Sequence, residues 1–244
     1  MVSKNQIKLI SSLHQKKFRQ SHNLFIAEGQ KVIQELIDGN FVLEHLFQTE
    51  PLFTGISSDK NTLIDFNDLK KISALTVANN CLAVFKMPNP KPIIENGLIV
   101  ALDNIRDPGN FGTILRLCDW FGIEQVLCSK TTVDLYNPKV IQATMGSVAR
   151  VNINYLDLKP FLENTKLPVF GTFMDGENIY KTDLPKQGII VMGNEASGIS
   201  AEIETTIKAR LTIPRFGNLQ KTESLNVAAA TAIVLSEFKR SFLF

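Results

Sequence analysis

The sequence predicts an α/β protein in two parts: a small α/β domain over residues 1–92 and a larger domain over 93–244 built on a mostly parallel sheet. Three observations predict it. Strand and helix patterns alternate through the second part, the arrangement that covers both faces of a parallel sheet. Met87-Pro88-Asn89-Pro90-Lys91-Pro92, with three prolines in five positions, has the composition of an extended linker. Charge is also unevenly divided. Residues 1–92 carry 11 basic and 8 acidic groups (net +3), and residues 93–244 carry 15 and 16 (net −1), which recovers the +2 of the 244-residue chain.

The elements follow in order. Residues 24–27 (Leu-Phe-Ile-Ala) are apolar enough for a buried strand. Residues 30–37 form a helix, because Val32, Ile33, Leu36 and Ile37 are spaced for one face, and Gly39-Asn40 closes it. Residues 42–47 and 81–85 are further strands, and 69–75 is a helix. In the second part, strands are expected at 98–102, 125–128, 151–155, 169–173, 189–192 and 211–213. Helices are expected at 111–121, 139–148, 201–207 and 224–238. There is no internal repeat and no low-complexity segment.

Composition excludes several classes. Apolar residues make up 44% and charged residues 20%, the proportions of a globular protein, and 24 Gly and Pro residues are too few for a fibrous or disordered chain. Cys81, Cys118 and Cys128 show no CxxC spacing and no nearby His, so reduced buried thiols are expected and no metal site. The N-terminal stretch MVSKNQIKLISSLHQKKF lacks an apolar signal region. The longest mostly apolar run, 227–235, is nine residues, far short of the roughly 20 that span a bilayer. A soluble, cytoplasmic protein without a membrane partner is expected. The near-neutral total does not exclude nucleic acid, since binding depends on where charge sits. Within the first 31 residues Lys4, Lys8, Lys16, Lys17, Arg19 and Lys31 face only Glu28. Lys16, Lys17, Arg19 and Lys31 are candidate phosphate contacts, a solvated helix face being the plain alternative.

In an open parallel sheet, ligands bind beyond the carboxyl ends of the strands. Three loops at such ends are rich in Gly and polar residues. They are 103–112 (running into a helix that carries Arg116), 193–198, and 214–226. Each has a structural reading: Asp107-Pro108-Gly109-Asn110 is a good turn, Gly193 and Gly198 bracket another, and Ser224 is a possible cap. Common nucleotide signatures fail. Gly193 to Gly198 has P-loop spacing, but Ile199-Ser200 stands where Lys-Ser/Thr is required. GxGxxG and GxSxG are absent, and no Cys/His pairing suggests a covalent thiol mechanism.

Three ordered stretches carry a resemblance: Asn104…Asp107-Pro108-Gly109-Asn110-Phe111-Gly112…Arg116, Val191-Met192-Gly193-Asn194-Glu195-Ala196-Ser197-Gly198-Ile199, and Ile213-Pro214…Ser224-Leu225-Asn226-Val227-Ala228. Residues 97–244 resemble the SpoU-type (TrmH-like) RNA 2′-O-ribose methyltransferases of the SPOUT class. The first part resembles their ribosomal-protein-like RNA-binding domain, most clearly at Phe25-Ile26-Ala27-Glu28-Gly29 and the helix after it.

The resemblance implies a deep C-terminal trefoil knot and S-adenosylmethionine as cofactor, contacted by Gly193, Ile213 and Leu225. It implies Arg116 at the reacting centre, with Asn110, Glu195, Ser224 and Asn226 around it, and a homodimer that completes the site across its interface. The substrate it implies is structured RNA, with ribosomal RNA favoured over transfer RNA. Two features depart from the family pattern: the connection 214–224 is longer than usual, and Ala228 replaces a common second serine.

Methyl transfer needs in-line positioning of a ribose 2′-hydroxyl and a route for its proton. Guanidinium is effectively always protonated, so Arg116 suits an electrostatic role better than that of a base. The alternatives are a non-catalytic RNA-binding protein on the same scaffold, disfavoured by the joint presence of Arg116, Glu195, Ser224 and Asn226, and a small-molecule methyltransferase.

Overall fold

The structure is a computed structural model and describes residues 2–218 and 224–240. In chain order its elements are α1 (Lys4–Ser12), α2 (Lys16–His22), β1 (Leu24–Glu28), α3 (Gln30–Asp38), β2 (Leu43–Gln48), β3 (Asn61–Leu63), α4 (Phe66–Ile72) and β4 (Cys81–Lys86). There follow β5 (Leu98–Leu102), α5 (Pro108–Trp120), β6 (Gln125–Ser129), α6 (Pro138–Thr144), β7 (Asn152–Leu156) and α7 (Leu158–Asn164). The last are β8 (Val169–Asn178), β9 (Gly188–Met192), α8 (Ala201–Glu204), β10 (Ala209–Thr212) and α9 (Val227–Arg240). The chain divides into two compact units, one comprising residues 1–89 with 134–150 and the other 90–133 with 151–244.

The first unit holds a four-stranded sheet in the order β1-β4-β2-β3, with only the β2–β3 pair parallel. Successive side chains of β1 point to opposite faces, and both faces are covered. Ile26 joins Ile10 and Leu13 of the N-terminal region and Leu69 and Ile72 of α4 in one apolar cluster. Phe25 packs the other way, its ring 5.7 Å from Phe85, 5.9 Å from Phe41 and 4.7 Å from Tyr136. Tyr136 arrives with the segment 134–150, which lies after β6 in sequence yet packs within this unit.

That segment also supplies Asp134. Its carboxylate accepts from Arg19 Nη2 at 2.5 Å and Nε at 3.0 Å, while Arg19 Nη1 donates to the carbonyls of Leu13 and His14. Arg19 is 2% exposed, so it is not one of the phosphate-facing cations expected from the sequence. A guanidinium this deep needs a carboxylate and backbone acceptors, and it has both. Lys16, Lys17 and Lys31 are exposed. Glu28 is buried too: it accepts from Ser73 Oγ at 2.5 Å and from the Ala74 amide at 2.7 Å. Burial raises its carboxyl above the usual carboxylate range, and those two hydrogen bonds pull it part of the way back.

The second unit holds a six-stranded, wholly parallel sheet ordered β10-β8-β9-β5-β6-β7. On one face Ile99, Ala101, Ile189 and Val191 pack against Leu158 and Leu162 of α7 and Ile203 of α8. Helices α5 and α9 pack on each other, and Phe238 of α9 meets Phe170 of β8 edge-on at 5.2 Å.

Several helices differ from expectation for local reasons. α4 begins at Phe66 because Asp65 caps it, accepting from the Asp68 amide. α6 stops at Thr144 because Met145 and Gly146 both take positive φ, and Glu35 occupies the space where a Gly146 side chain would stand. α8 ends at Glu204, where the hydroxyls of Thr205 and Thr206 take the carbonyls of Glu202 and Ile203. α9 starts at Val227, three residues later than expected. Helices α1, α2 and α7 were not expected. The Ser3/Gln6 capping box marked α1 in the sequence.

Replacing Asp134 by Ala leaves the Arg19 guanidinium buried without its carboxylate. The first unit should lose about 3 kcal/mol of stability or more, read as a lower urea midpoint, while Lys16→Ala, on an exposed side chain, changes it little.

Candidate functional site

Strands β5 and β9 are parallel neighbours, paired from Leu98↔Gly188 to Leu102↔Met192. Their following loops therefore leave the sheet side by side. The Asp103 amide extends the pairing by donating to the Met192 carbonyl at 2.9 Å, and the Asp103 carboxylate accepts from the Ser200 amide at 2.8 Å. Asn104 takes a left-handed φ of 59°, tolerated by Asn, and its amide donates to Ser129 Oγ. Asp107 then caps α5 by accepting from the Asn110 amide at 2.7 Å, with Pro108 in the first turn.

The loop after β9 is closed on itself. Asn194 and Gly198 exchange two backbone hydrogen bonds of 2.9 and 2.8 Å. Asn194 Oδ1 accepts from the amides of Ala196 and Ser197, and its Nδ2 donates to the Asn104 carbonyl at 2.9 Å, tying this loop to the first. Gly193 has no room for a side chain, since a Cβ there would overlap the Gly198 carbonyl carbon and the Ile199 nitrogen. Its need for glycine is met within this loop. Gly198, at φ 68°, needs glycine for its backbone conformation.

Three expected site residues come together in one hydrogen-bonded series. Asn226 caps α9, its Oδ1 accepting from the amides of Ala228 at 3.0 Å and Ala229 at 3.2 Å. Its Nδ2 donates to Asn110 Oδ1 at 2.9 Å, and Asn110 Nδ2 donates to Glu195 Oε1 at 2.5 Å. Each amide is oriented by the one before it, so the N-terminal dipole of α9 is relayed through two side chains to a carboxylate. The series ends at Glu195 Oε1 and fixes that carboxylate against the first turn of α5.

The other candidates are not members of this hydrogen-bonded series. Arg116 is exposed on α5, about 9 Å along the helix axis from Asn110 at the usual rise, and Trp120, one turn further, is 84% exposed. Ser224 is exposed, Leu225 is 48% exposed and Ile213 is half-buried. The long connection 214–224 is described only to residue 218 and from Ser224 onward. Asp103, Asn194 and Ser129 organise the loops but were not singled out. An Asn four residues before a Gly, after a run of apolar residues, was the available signal for Asn194.

Among the described residues no group of three or more His, Cys, Asp or Glu could hold a metal ion, and no helix is long and apolar enough to cross a membrane. The three thiols are buried, and burial raises each above its ordinary value, Cys81 to about 11, so none is activated as a nucleophile. For Gly193→Ala the clash is with backbone, which cannot rotate away. It should destabilise the second unit by about 2 kcal/mol or more, measured by calorimetric unfolding, whereas Gly217→Ala, where a Cβ meets open space, should be near neutral.

Residues 97–236 match the SpoU rRNA Methylase family, and residues 4–85 match the MRM3-like substrate binding domain. The chain is 29% identical to the 23S rRNA (guanosine(2553)-2′-O)-methyltransferase RlmP of Bacillus subtilis, over 96% of each chain. A TrmH-family structure from Porphyromonas gingivalis superposes with a TM-score of 0.90 at 38% identity, covering 99% of both chains. An AdoMet-bound rRNA methyltransferase structure from Sinorhizobium meliloti superposes at 0.88 with 27% identity, covering 100% of this chain and 98% of the other. The family match spans more than half the chain and contains all three loops of the site, and this chain belongs to the SpoU rRNA Methylase family.

Proposed function

We propose that this chain transfers a methyl group from S-adenosylmethionine to a ribose 2′-hydroxyl of structured RNA, ribosomal RNA in preference to transfer RNA, in the cytoplasm. The observation that carries the reading is the series Asn226–Asn110–Glu195, which joins the three family loops through side chains. S-adenosylmethionine, when bound, supplies an electrophilic methyl on a sulfonium. The residues suit such a group: Leu225 and Ile213 offer incompletely covered apolar surface for a base.

In this reading Asn110, Glu195 and Asn226 hold the ribose in position, with Ser224 beside them. Arg116 draws a backbone phosphate and stabilises negative charge developing on the 2′-oxygen. A fixed guanidinium cannot take the proton, which passes to the RNA phosphate or to water. The first unit selects the RNA, with Lys16, Lys17 and Lys31 as phosphate contacts. Its match to a substrate-binding domain supports this.

The trefoil knot belongs to the same proposal, supported by a sheet order in which β9 enters between β5 and β8. So does a homodimer. Arg116 stands away from the Glu195 series on the same exposed side of α5 as Trp120, as expected of a residue that acts in a site completed by a second copy. Sedimentation should give about twice the 27.2 kDa chain mass, and Trp120→Glu should give monomer. A wild-type monomer at micromolar concentration would sink the dimer.

Mapping 2′-O-methyl positions in cellular RNA with and without the protein tests the reading. One ribosomal nucleotide should lose its methyl group, and failure to bind S-adenosylmethionine in calorimetry, with RNA still bound, would instead favour a non-catalytic RNA-binding protein. Arg116→Lys keeps the charge and loses the forked geometry. Its turnover should fall about 100-fold or more with cofactor affinity unchanged, and near wild-type turnover rules out the assigned role.

A further inference from the structure

All six strands of the second sheet are parallel, so the loops after β8, β10, β5 and β9 leave from one edge. Beyond β8 a 3-10 turn, Ile179–Lys181, carries Tyr180. The turn is firmly held. Ile179 is buried, Asn178 Oδ1 accepts from the Tyr180 amide at 3.0 Å, Thr182 Oγ donates to the Asn178 carbonyl at 3.0 Å, and the turn packs against α9. Beyond β10, three residues past Ile213, stands Phe216. The two rings meet at 6.4 Å between centroids with 36° between their planes.

Neither ring serves the core. Phe216 is 82% exposed and Tyr180 43%. A single exposed aromatic is ordinary. Here two rings from different loops converge in the open at the edge that carries the site, and each has a cation as its sequence neighbour, Lys181 beside Tyr180 and Arg215 beside Phe216. Open aromatic faces with adjacent cations are the chemistry of single-stranded nucleic acid, in which a base stacks on the ring and the cations meet the backbone. The adenine of the cofactor is a poorer occupant. A small-molecule site encloses most of its ligand, and a ring this exposed encloses nothing.

We infer that Phe216 and Tyr180 form a stacking platform for an unpaired base of the substrate RNA near the target ribose, making them positioning residues that set which strand segment can be methylated. The inference rests on the RNA 2′-O-methylation reading above. Double-stranded RNA offers no free base face, so the platform selects a loop, a bulge or an opened strand.

The test measures affinity for in vitro transcribed, unmodified large-subunit ribosomal RNA, together with S-adenosylmethionine affinity by calorimetry, thermal midpoint and methyl transfer. Stacking is worth about 1–3 kcal/mol per base, so Phe216→Ala should weaken RNA binding about 5- to 150-fold, with cofactor affinity and thermal midpoint unchanged. Tyr180→Ala should act in the same direction. Phe216→Trp should restore RNA affinity to near wild type and Phe216→Leu should not, since leucine is apolar without a π face. RNA affinity unaffected by Phe216→Ala, equal rescue by Leu and Trp, or parallel loss of cofactor affinity would each overturn the platform. Wild-type protein that fails to bind this RNA overturns it as well. Wild-type protein that binds the RNA but methylates nothing overturns the methylation reading alone, because the stacking comparison is read in binding.

Discussion

Strand β9 runs parallel between β5 and β8, paired with β5 along its length and with β8 at Ile189, Ile190 and Val191, and the geometry of the second unit depends on that placement. Two parallel neighbours that end at the same level must release their next residues together. The Asp103 and Gly193 loops are therefore forced into contact, and the available polar groups are spent on it: Asp103 on the Ser200 amide, Asn194 on the Asn104 carbonyl, Asn110 on Glu195. With the Gly193 loop closed so tightly that no Cβ fits, Glu195 is presented from a rigid turn. A carboxylate on such a turn can be aimed to within hydrogen-bonding tolerance, which a mobile loop could not do.

Helix α9 supplies the third side of the site through its first turn. A helix N-terminus carries unpaired amides and partial positive charge. Asn226 accepts from two of those amides and passes the polarity on, so that one capping interaction serves both helix initiation and the site. The same economy recurs in the first unit, where Arg19 and Glu28, charges that would be costly alone, are buried against partners that also pin local backbone: Leu13 and His14 carbonyls for Arg19, the Ala74 amide for Glu28.

Much of this was legible in the sequence. The strands of the second sheet fall within a residue or two of expectation at most ends, because buried parallel strands are near-continuous apolar runs. The Asp107-Pro108 cap, the polar loops at strand ends and the odd, unpaired cysteines all have short-range signatures. The start of α4 and the end of α8 were decided locally, by the Asp65 cap and the Thr205 and Thr206 hydroxyls, and other misjudged features at longer range. The +3 of the first part suggested a row of phosphate contacts that included Arg19, but sequence cannot show that Asp134, 115 positions away, takes that guanidinium inside. Likewise α6 reads as a longer helix until Glu35 is found where a Gly146 side chain would be.

By itself the sequence determined the alternation of strand and helix, the order of the three loops and the identity of the polar residues at their tips, all properties set by neighbours a few positions apart. The tertiary structure decided which of those residues meet. It brought Asn226, Asn110 and Glu195 into one hydrogen-bonded series, left Arg116 and Trp120 on an open helix face, and set Phe216 against Tyr180. The reason is physical. Strand order and helix packing govern contacts between residues tens of positions apart, and hydrogen bonds and ring contacts exist only where that packing closes the last few ångströms.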